Sequence, residues 1–344
     1  MANEGKPVLV TGGSGYIGGE LIRQLLAKGW TVHTTVRNLK KEQGLRAAIG
    51  DSGGRLKVFK AELMDDAGWA EATAGCSHVA HVASPFPVGV PRNEDELIVP
   101  AREGALRALR FAREAGVTRF VMTSSAAAIA YGHAPGKTEF TEADWTNVDA
   151  AGVQPYVKSK TIAERAAREW VAREGGGMAF CTVNPVLVLG PVASADLAAS
   201  VEIPKRLLEG SIPALPDVGF SVVDVRDVAE LHVLVLEAPE DKVSGGRFIA
   251  AAGPFYKMAD VARVLRERLG DKARKVPARR MPDLLVRLFA MVSPDIRQLT
   301  GELGRVRSTS GQHARDVLGW SPRDPDQTIE DTARSLIERG LVKV

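Results

Sequence analysis

Tyr156 and Lys160 stand four residues apart in a stretch, 154–174, whose apolar spacing predicts a helix, so both side chains share one helix face. An ammonium in that position favours the tyrosinate and is expected to draw the tyrosine pKa down from about 10. A tyrosine tuned in this way can hand a proton to a carbonyl oxygen while hydride arrives at the carbon. Upstream, Phe120-Val121-Met122-Thr123-Ser124-Ser125 reads as a buried strand that ends in hydroxyls. One of these can orient a carbonyl beside Tyr156; capping of the strand end is their other use.

Hydride needs a carrier, and the N-terminal residues supply a place for one. Val8-Leu9-Val10 runs as a strand into Thr11-Gly12-Gly13-Ser14-Gly15-Tyr16-Ile17-Gly18 and then into an amphipathic helix, 16–28. Gly12 permits the tight turn, Gly15 lets a pyrophosphate approach the backbone, and Gly18 allows helix and strand to pack closely. The free N–H groups and positive dipole end of the helix complete a phosphate site. The spacing is GxxGxxG rather than GxGxxG, and the strand–turn–helix setting is what points to a dinucleotide. At the end of the second strand, Thr34-Thr35-Val36-Arg37-Asn38-Leu39-Lys40-Lys41 has no acidic residue for a ribose 2′-hydroxyl. Arg37 offers a planar fork for a 2′-phosphate, with Lys40 or Lys41 as a second charge, so the expected cofactor is NADPH/NADP+.

These residues must be carried on a scaffold, and its outline is readable. Candidate strands at 7–11, 31–36, 56–60, 78–83, 120–124 and 179–184 alternate with helical patterns such as 16–28, 93–115 and 154–174. That alternation predicts an α/β, Rossmann-type doubly wound parallel sheet. Beyond Pro185 the pattern changes to a helix at 196–209, a strand at 220–225, a helix at 227–237 and a strand at 246–251. Only helical patterns follow Gly253, at 257–269, 282–292, 310–318 and 326–340. The expected division is a cofactor domain, 1–190 joined by 220–252, and a smaller, mainly helical substrate lobe, 191–219 and 253–344. Asp224 and Asp227 are expected to anchor the returning chain and cap the next helix.

Composition narrows the function classes. With 45% apolar and 25% charged residues the chain reads as globular, and a net charge of +3 over 344 residues implies no nucleic acid partner. No run approaches the roughly 18 apolar residues of a membrane span. The polar segment 1–7 lacks the build of a secretory signal, and Cys76 and Cys181 read as buried free thiols, so a cytoplasmic protein is expected. The six histidines show no ligand spacing, and no metal site is expected. The segment 272–307 holds nine basic and three acidic residues, which suits a solvated helix face or a docking surface for an anionic substrate tail. Helices 93–115 and 154–174 could form a dimer seam or simply cover the sheet, leaving monomer and homodimer both open.

Taken together these motifs carry a family resemblance. TGGSGYIG at 11–18, TTVRN at 34–38, HVASP at 81–85, TSSAAA at 123–128, YVKSK at 156–160, NPVLVLGP at 184–191 and VDVRDVA at 223–229 make the chain similar to extended short-chain dehydrogenases/reductases. Within them it resembles dihydroflavonol reductases, cinnamoyl-CoA reductases and related microbial carbonyl reductases. The resemblance implies that Ser125, directly before the alanine, is the catalytic serine and Tyr156 the proton donor. It implies that Lys160 holds the tyrosine and the nicotinamide ribose. Ala83 and Ser84 should line the cofactor's path, and Pro185 and Leu187 should sit against the nicotinamide. Glu62, with Leu63, falls where the family carries an aspartate beside the adenine.

The departures bear on substrate. Ala130 replaces a polar residue of the plant dihydroflavonol reductases, and the run 151–155 lacks the tryptophan and cysteine of cinnamoyl-CoA reductases. Gly219 and Phe220 replace a polar pair. Pro85, Ala130, Tyr131 and Phe220 are therefore expected to bound a more apolar pocket, whose mouth Tyr131 and Trp145 either shape or merely pack beside. The leading expectation is an NADPH-dependent carbonyl reductase acting on a small aldehyde or ketone with an apolar or aromatic body. The alternatives are a nucleotide-sugar epimerase/dehydratase or hydroxysteroid dehydrogenase on the same scaffold, and a non-catalytic NADP(H)-binding sensor.

Overall fold

The computed structural model describes residues 5–50, 53–85, 91–291 and 293–344. Residues 1–4 of the polar N-terminal segment, and Val292 at the end of the expected helix 282–292, lie outside the described residues. The first half of the chain alternates as expected: β1 (Val8–Thr11), α1 (Tyr16–Ala27), β2 (Val32–Val36), α2 (Glu42–Ile49), β3 (Leu56–Lys60), α3 (Trp69–Thr73), β4 (His78–His81), α4 (Asp95–Glu114) and β5 (Arg119–Thr123). There follow β6 (Glu139–Phe140), α5 (Pro155–Glu174), β7 (Ala179–Pro185), β8 (Leu187–Leu189), α6 (Glu202–Glu209), β9 (Gly219–Asp224), α7 (Val225–Glu237), α8 (Glu240–Val243) and β10 (Arg247–Ala250). The chain continues through β11 (Phe255–Lys257), α9 (Met258–Leu269), α10 (Asp283–Ala290), α11 (Pro294–Leu299), β12 (Ser308–Thr309), α12 (Gln312–Leu318) and α13 (Pro325–Glu338).

Seven parallel strands form the main sheet in the order β10-β7-β5-β4-β1-β2-β3. The order reverses beside β1, which puts a topological switch point between β1 and β4, where ligands bind in open α/β sheets. Central strands β1, β2 and β5 are buried throughout, as strands covered on both faces must be. The edge strand β3 instead exposes Lys57 and Lys60, which discourages pairing with another chain.

Side chains alternate between the two faces. Val8 and Val10 pack with Leu21, Ile22 and Leu25 of α1 and with Val228 and Val235 of α7. Leu9 and Phe120 pack on the opposite face with Trp69 of α3, Ala105 and Leu109 of α4, and Ala163 and Ala167 of α5. Small residues on α4 and α5 let these two helices lie side by side over the sheet. A second core joins Leu207 of α6, Val261 and Leu265 of α9, and Ile329 and Leu336 of α13 around a three-stranded sheet, β11-β9-β8.

That small sheet corrects one expectation. The region beyond Gly253 is not helical alone: β11 pairs antiparallel with β9, and β12 pairs in parallel with β6. Strands of three and two residues are too short to show a period of two, so their apolar residues merge into the neighbouring helical patterns. At the β9–α7 junction Asp224 caps the helix, accepting from the Arg226 N–H at 2.8 Å. Asp227 accepts from the Arg323 N–H at 2.7 Å and also pairs with its guanidinium. Helix α10 presents Leu284, Leu285, Leu288 and Phe289 to solvent. Among the described residues no helix is long and apolar enough to cross a membrane, and no group of three or more His, Cys, Asp or Glu could hold a metal ion.

Candidate active site

The glycine loop is a cradle fixed from below. Gly12 adopts φ +70°, and a Cβ there would lie 3.0 Å from the Cα of Ala83. A Cβ on Gly18 would run into the Gly12 carbonyl oxygen, and one on Gly13 into the hydroxyl of Thr34. The turn is held by Gly12 N–H donating to Thr35 Oγ1 at 3.2 Å and by Gly15 N–H donating to the Gly12 carbonyl at 2.9 Å. Gly15 begins α1 with no side-chain cap, so N–H groups at the helix start face outward for an anion. This space and this dipole fit the pyrophosphate of a dinucleotide. Thr11 ties the loop to β4, its hydroxyl 3.0 Å from His81 Nδ1 and accepting from the Ala83 N–H at 3.0 Å. Tyr16 donates to the Gly190 carbonyl at 2.7 Å, and Ile17 packs beside it on the core.

At the carboxyl edge of β5 the chain turns into a short 3-10 segment, Ala126–Ala128, capped by Ser125, whose Oγ accepts from the Ala127 N–H at 3.1 Å. Pro155 opens α5 at its first turn, where its missing N–H costs nothing, and presents Tyr156 next to Ser125. The Tyr156 and Ser125 hydroxyls are hydrogen-bonded. Lys160, 8% exposed, donates to Ser84 Oγ at 2.9 Å, and its ammonium lies 5.9 Å from the centre of the Tyr156 ring. The Ser125 hydroxyl also lies 3.5 Å from the Pro185 carbonyl, so β4, β5, β7 and α5 all deliver a residue to one spot.

The electrostatics correct the expected tyrosine shift. Burial raises the Tyr156 pKa above its ordinary value, and the hydrogen bond from Ser125 only moderates this. Burial also disfavours the Lys160 ammonium, lowering its own pKa to about 8, so desolvation dominates at both groups. His81 is held neutral, its pKa pushed down to about 3 by burial and by the nearby Lys160.

The other expected residues fall into two groups. Tyr131 is near the centre: its pKa is raised to about 12 by burial, by Glu302 and by Tyr156, and the Arg307 guanidinium stacks 4.2 Å from its ring centre. Trp145 lies beneath the Arg247 guanidinium, at 3.9 Å. Ala130 is buried and Pro85 partly so, while Leu187 and Phe220 pack against the smaller core. At the far end Arg37, Lys40 and Glu62 are exposed. Lys41 forms a 2.8 Å ion pair with Asp196 across the gap between β2 and the 190s loop. Leu63 is half-buried, and its carbonyl accepts from Arg107.

A group that the motif reading missed sits behind Ser125. Glu164, wholly buried on α5, binds Ser124, Thr182, Asn184, Arg168 and Arg247. The available signal was spacing: Glu164 follows Lys160 by four residues and Tyr156 by eight, on the same helix face.

A doubly wound sheet with a glycine cradle at its switch point and a Ser-Tyr-Lys group at its carboxyl edge defines the short-chain dehydrogenase/reductase class. The sequence profile of the NAD dependent epimerase/dehydratase family matches residues 8–251, and the chain belongs to that family, the extended branch of the class. It is 37% identical over 276 residues to a cinnamoyl-CoA reductase of Medicago truncatula, covering 77% of this chain and 82% of that protein. It is 34% identical over 280 residues to a dihydroflavonol 4-reductase of Hordeum vulgare, covering 77% and 75%. Its fold matches the yeast methylglyoxal/isovaleraldehyde reductase Gre2, solved with NADPH, with a TM-score of 0.80 at 24% identity over 98% of this chain and 100% of that one. The chain is thus an enzyme of the oxidoreductase class.

Proposed function

We propose that this enzyme is an NADPH-dependent carbonyl reductase that acts on aldehydes or ketones with an apolar or aromatic body. The observation that carries the reading is the Tyr156–Ser125 hydrogen bond beside the Lys160–Ser84 pair, set at the sheet edge next to the glycine cradle. NADPH, when bound, supplies the hydride. Gly12, Gly15, Gly18 and the start of α1 would hold its pyrophosphate. Arg37, with Lys40 or Lys41, would hold the 2′-phosphate; Glu62 and Leu63 would border the adenine. Ala83, Ser84, Pro185, Leu187 and Lys160 would line the rest of its path.

The chain's own residues then do the following work. Ser125 donates to the carbonyl oxygen and fixes its direction. Tyr156 enters protonated, because burial keeps its pKa high, and gives its proton to the developing alkoxide. Lys160 stabilises the resulting tyrosinate, and a pKa near 8 lets it pass a proton onward from water. We assign cofactor binding to 1–190 with 220–252, and substrate binding to 191–219 with 253–344. Two buried free thiols suit a reducing, cytoplasmic setting.

The test is a panel of aldehydes, diketones and flavanones followed by NADPH absorbance, with Tyr156→Phe alongside. Reduction of one substrate group, lost at least 100-fold in Tyr156→Phe, is expected, on the order that general-acid catalysis contributes. Undiminished reduction by Tyr156→Phe would overturn the mechanism. Interconversion of a nucleotide sugar without net loss of NADPH would favour the epimerase reading instead.

A further inference from the structure

Glu164 occupies a position that a stability role alone does not explain. Its Oε1 accepts from Arg247 Nε at 2.7 Å, Arg168 Nε at 3.2 Å and Thr182 Oγ1 at 3.2 Å. Its Oε2 accepts from Ser124 Oγ at 2.5 Å and Asn184 Nδ2 at 2.9 Å. The same Asn184 amide also donates to the Ser125 backbone carbonyl at 3.3 Å. Both residues that set the backbone of Ser125, its neighbour Ser124 and the cross-strand Asn184, are therefore gripped by one carboxylate oxygen. That carboxylate is rigid because Arg247 is itself pinned, donating to the Glu142 carbonyl at 2.8 Å and the Asp144 carbonyl at 2.6 Å and stacked over Trp145.

The charge balance keeps the grip closed. Burial alone would protonate Glu164, but Arg247 and Arg168 hold its pKa below the usual carboxylate range. The charged groups packed against it are Arg168 on its own helix and Arg247 on β10. An ionised acceptor takes hydrogen bonds from hydroxyl and amide donors more strongly than a neutral one. Ser125 has no charged anchor of its own: its hydroxyl accepts from Ala127, lies at the long distance of 3.5 Å from the Pro185 carbonyl and otherwise meets only Tyr156 itself.

We propose that Glu164 is a positioning residue for the reaction, holding Ser124 and Asn184 so that the Ser125 hydroxyl stays directed at Tyr156 and the substrate oxygen. The proposal rests on the reductase reading above. It makes the helix that carries Tyr156 and Lys160 also the fixture for the serine on a different strand, so the three groups move as a unit.

Ser124→Ala is the decisive variant, because it removes one hydrogen bond and leaves both ion pairs in place. A displacement of the serine well under an ångström costs rate, so kcat should fall about 10-fold. KM and the NADPH Kd from fluorescence titration should stay at parental values, while the melting temperature falls only by the loss of one charge-assisted hydrogen bond. Ser124→Thr, which restores the hydroxyl, should recover most of the loss. Glu164→Gln leaves the buried Arg247 and the partly exposed Arg168 without their carboxylate partner and should melt earlier. If it folds, adding Ser124→Ala to it should cost less further kcat than Ser124→Ala costs alone, since the two share the Ser124 contact. Parental kcat in Ser124→Ala overturns the proposal, as does a loss that Ser124→Thr fails to recover. Failure of the underlying reading is distinguishable, because it is read from undiminished turnover in Tyr156→Phe.

Discussion

Arg37 is the residue on which cofactor choice turns. It is exposed at the end of β2, with no acidic side chain in its own turn, and Asn38 there is spent on capping, accepting from the Lys40 N–H at 2.9 Å. Arg37→Asp should weaken NADPH binding about 10- to 100-fold, the range for losing a charge-assisted hydrogen bond, and should improve NADH binding. Titration of both nucleotides checks this, and unchanged NADPH affinity would remove Arg37 from the site. At this scale the sequence spoke clearly about types and spacing. The one-turn separation of Tyr156 and Lys160 was visible, as were the hydroxyls that end β5. The direction of the tyrosine shift was not, because it depends on how much water each group loses, and burial is a property of the packed molecule.

Helix α1 shows how close packing sets what an element tolerates. Gly18 sits where a Cβ would meet the backbone carbonyl of Gly12, whereas Gly44 in α2 has open space around it. Gly18→Ala should lower the melting temperature and weaken NADPH binding together, since the helix can stay only by pushing the turn out of place. Gly44→Ala should raise the melting temperature slightly, by about 0.5–1 kcal/mol of helix propensity. A calorimetric scan of both variants decides the matter; equal effects would mean the turn is not backed by the helix.

Elements were legible in proportion to their length. The seven strands of the main sheet stood out as β-branched runs between amphipathic helices of 12 to 20 residues, such as α1 and α5. Pieces as short as β11, β8 and β12 did not, because three residues on a half-buried surface have no period. The Glu164 cluster was hidden for another reason. Its members come from α5, β7, β10 and the end of β5, and only the sheet order reveals that Arg247 on β10 lies beside β7.

Across the whole molecule, four histidines make the fold sensitive to acid. Burial lowers His33 below its ordinary value, His78 and His232 to about 4 and His81 to about 3, so each favours its neutral form in the folded chain. An unfolded histidine takes up its proton near 6.5, so stability present above that pH is lost as the pH falls toward 4. Asp227 works the other way: its carboxyl, raised to about 6 by burial, gains stability as the pH falls through that value, but it is one group against four. The melting temperature should therefore drop between pH 7 and pH 5. His232→Gln, which removes the ring bonded to Thr123 at 2.7 Å, should flatten that slope while lowering stability at pH 7. A melting temperature constant from pH 7 to 5 would contradict the account.

Arg247 closes the buried cluster from β10, eighty-three residues beyond Glu164 and on the outer edge of the main sheet. A nascent chain that has made β1 to β7 carries both tyrosine and lysine, yet still lacks the guanidinium that neutralises the carboxylate behind the serine. In that interval Glu164 has only Arg168 to answer it, and the end of β5 lacks the clamp from Arg247 to the Ala128 carbonyl. The catalytic edge can thus set only once β10 has been made, although most of its residues are translated early.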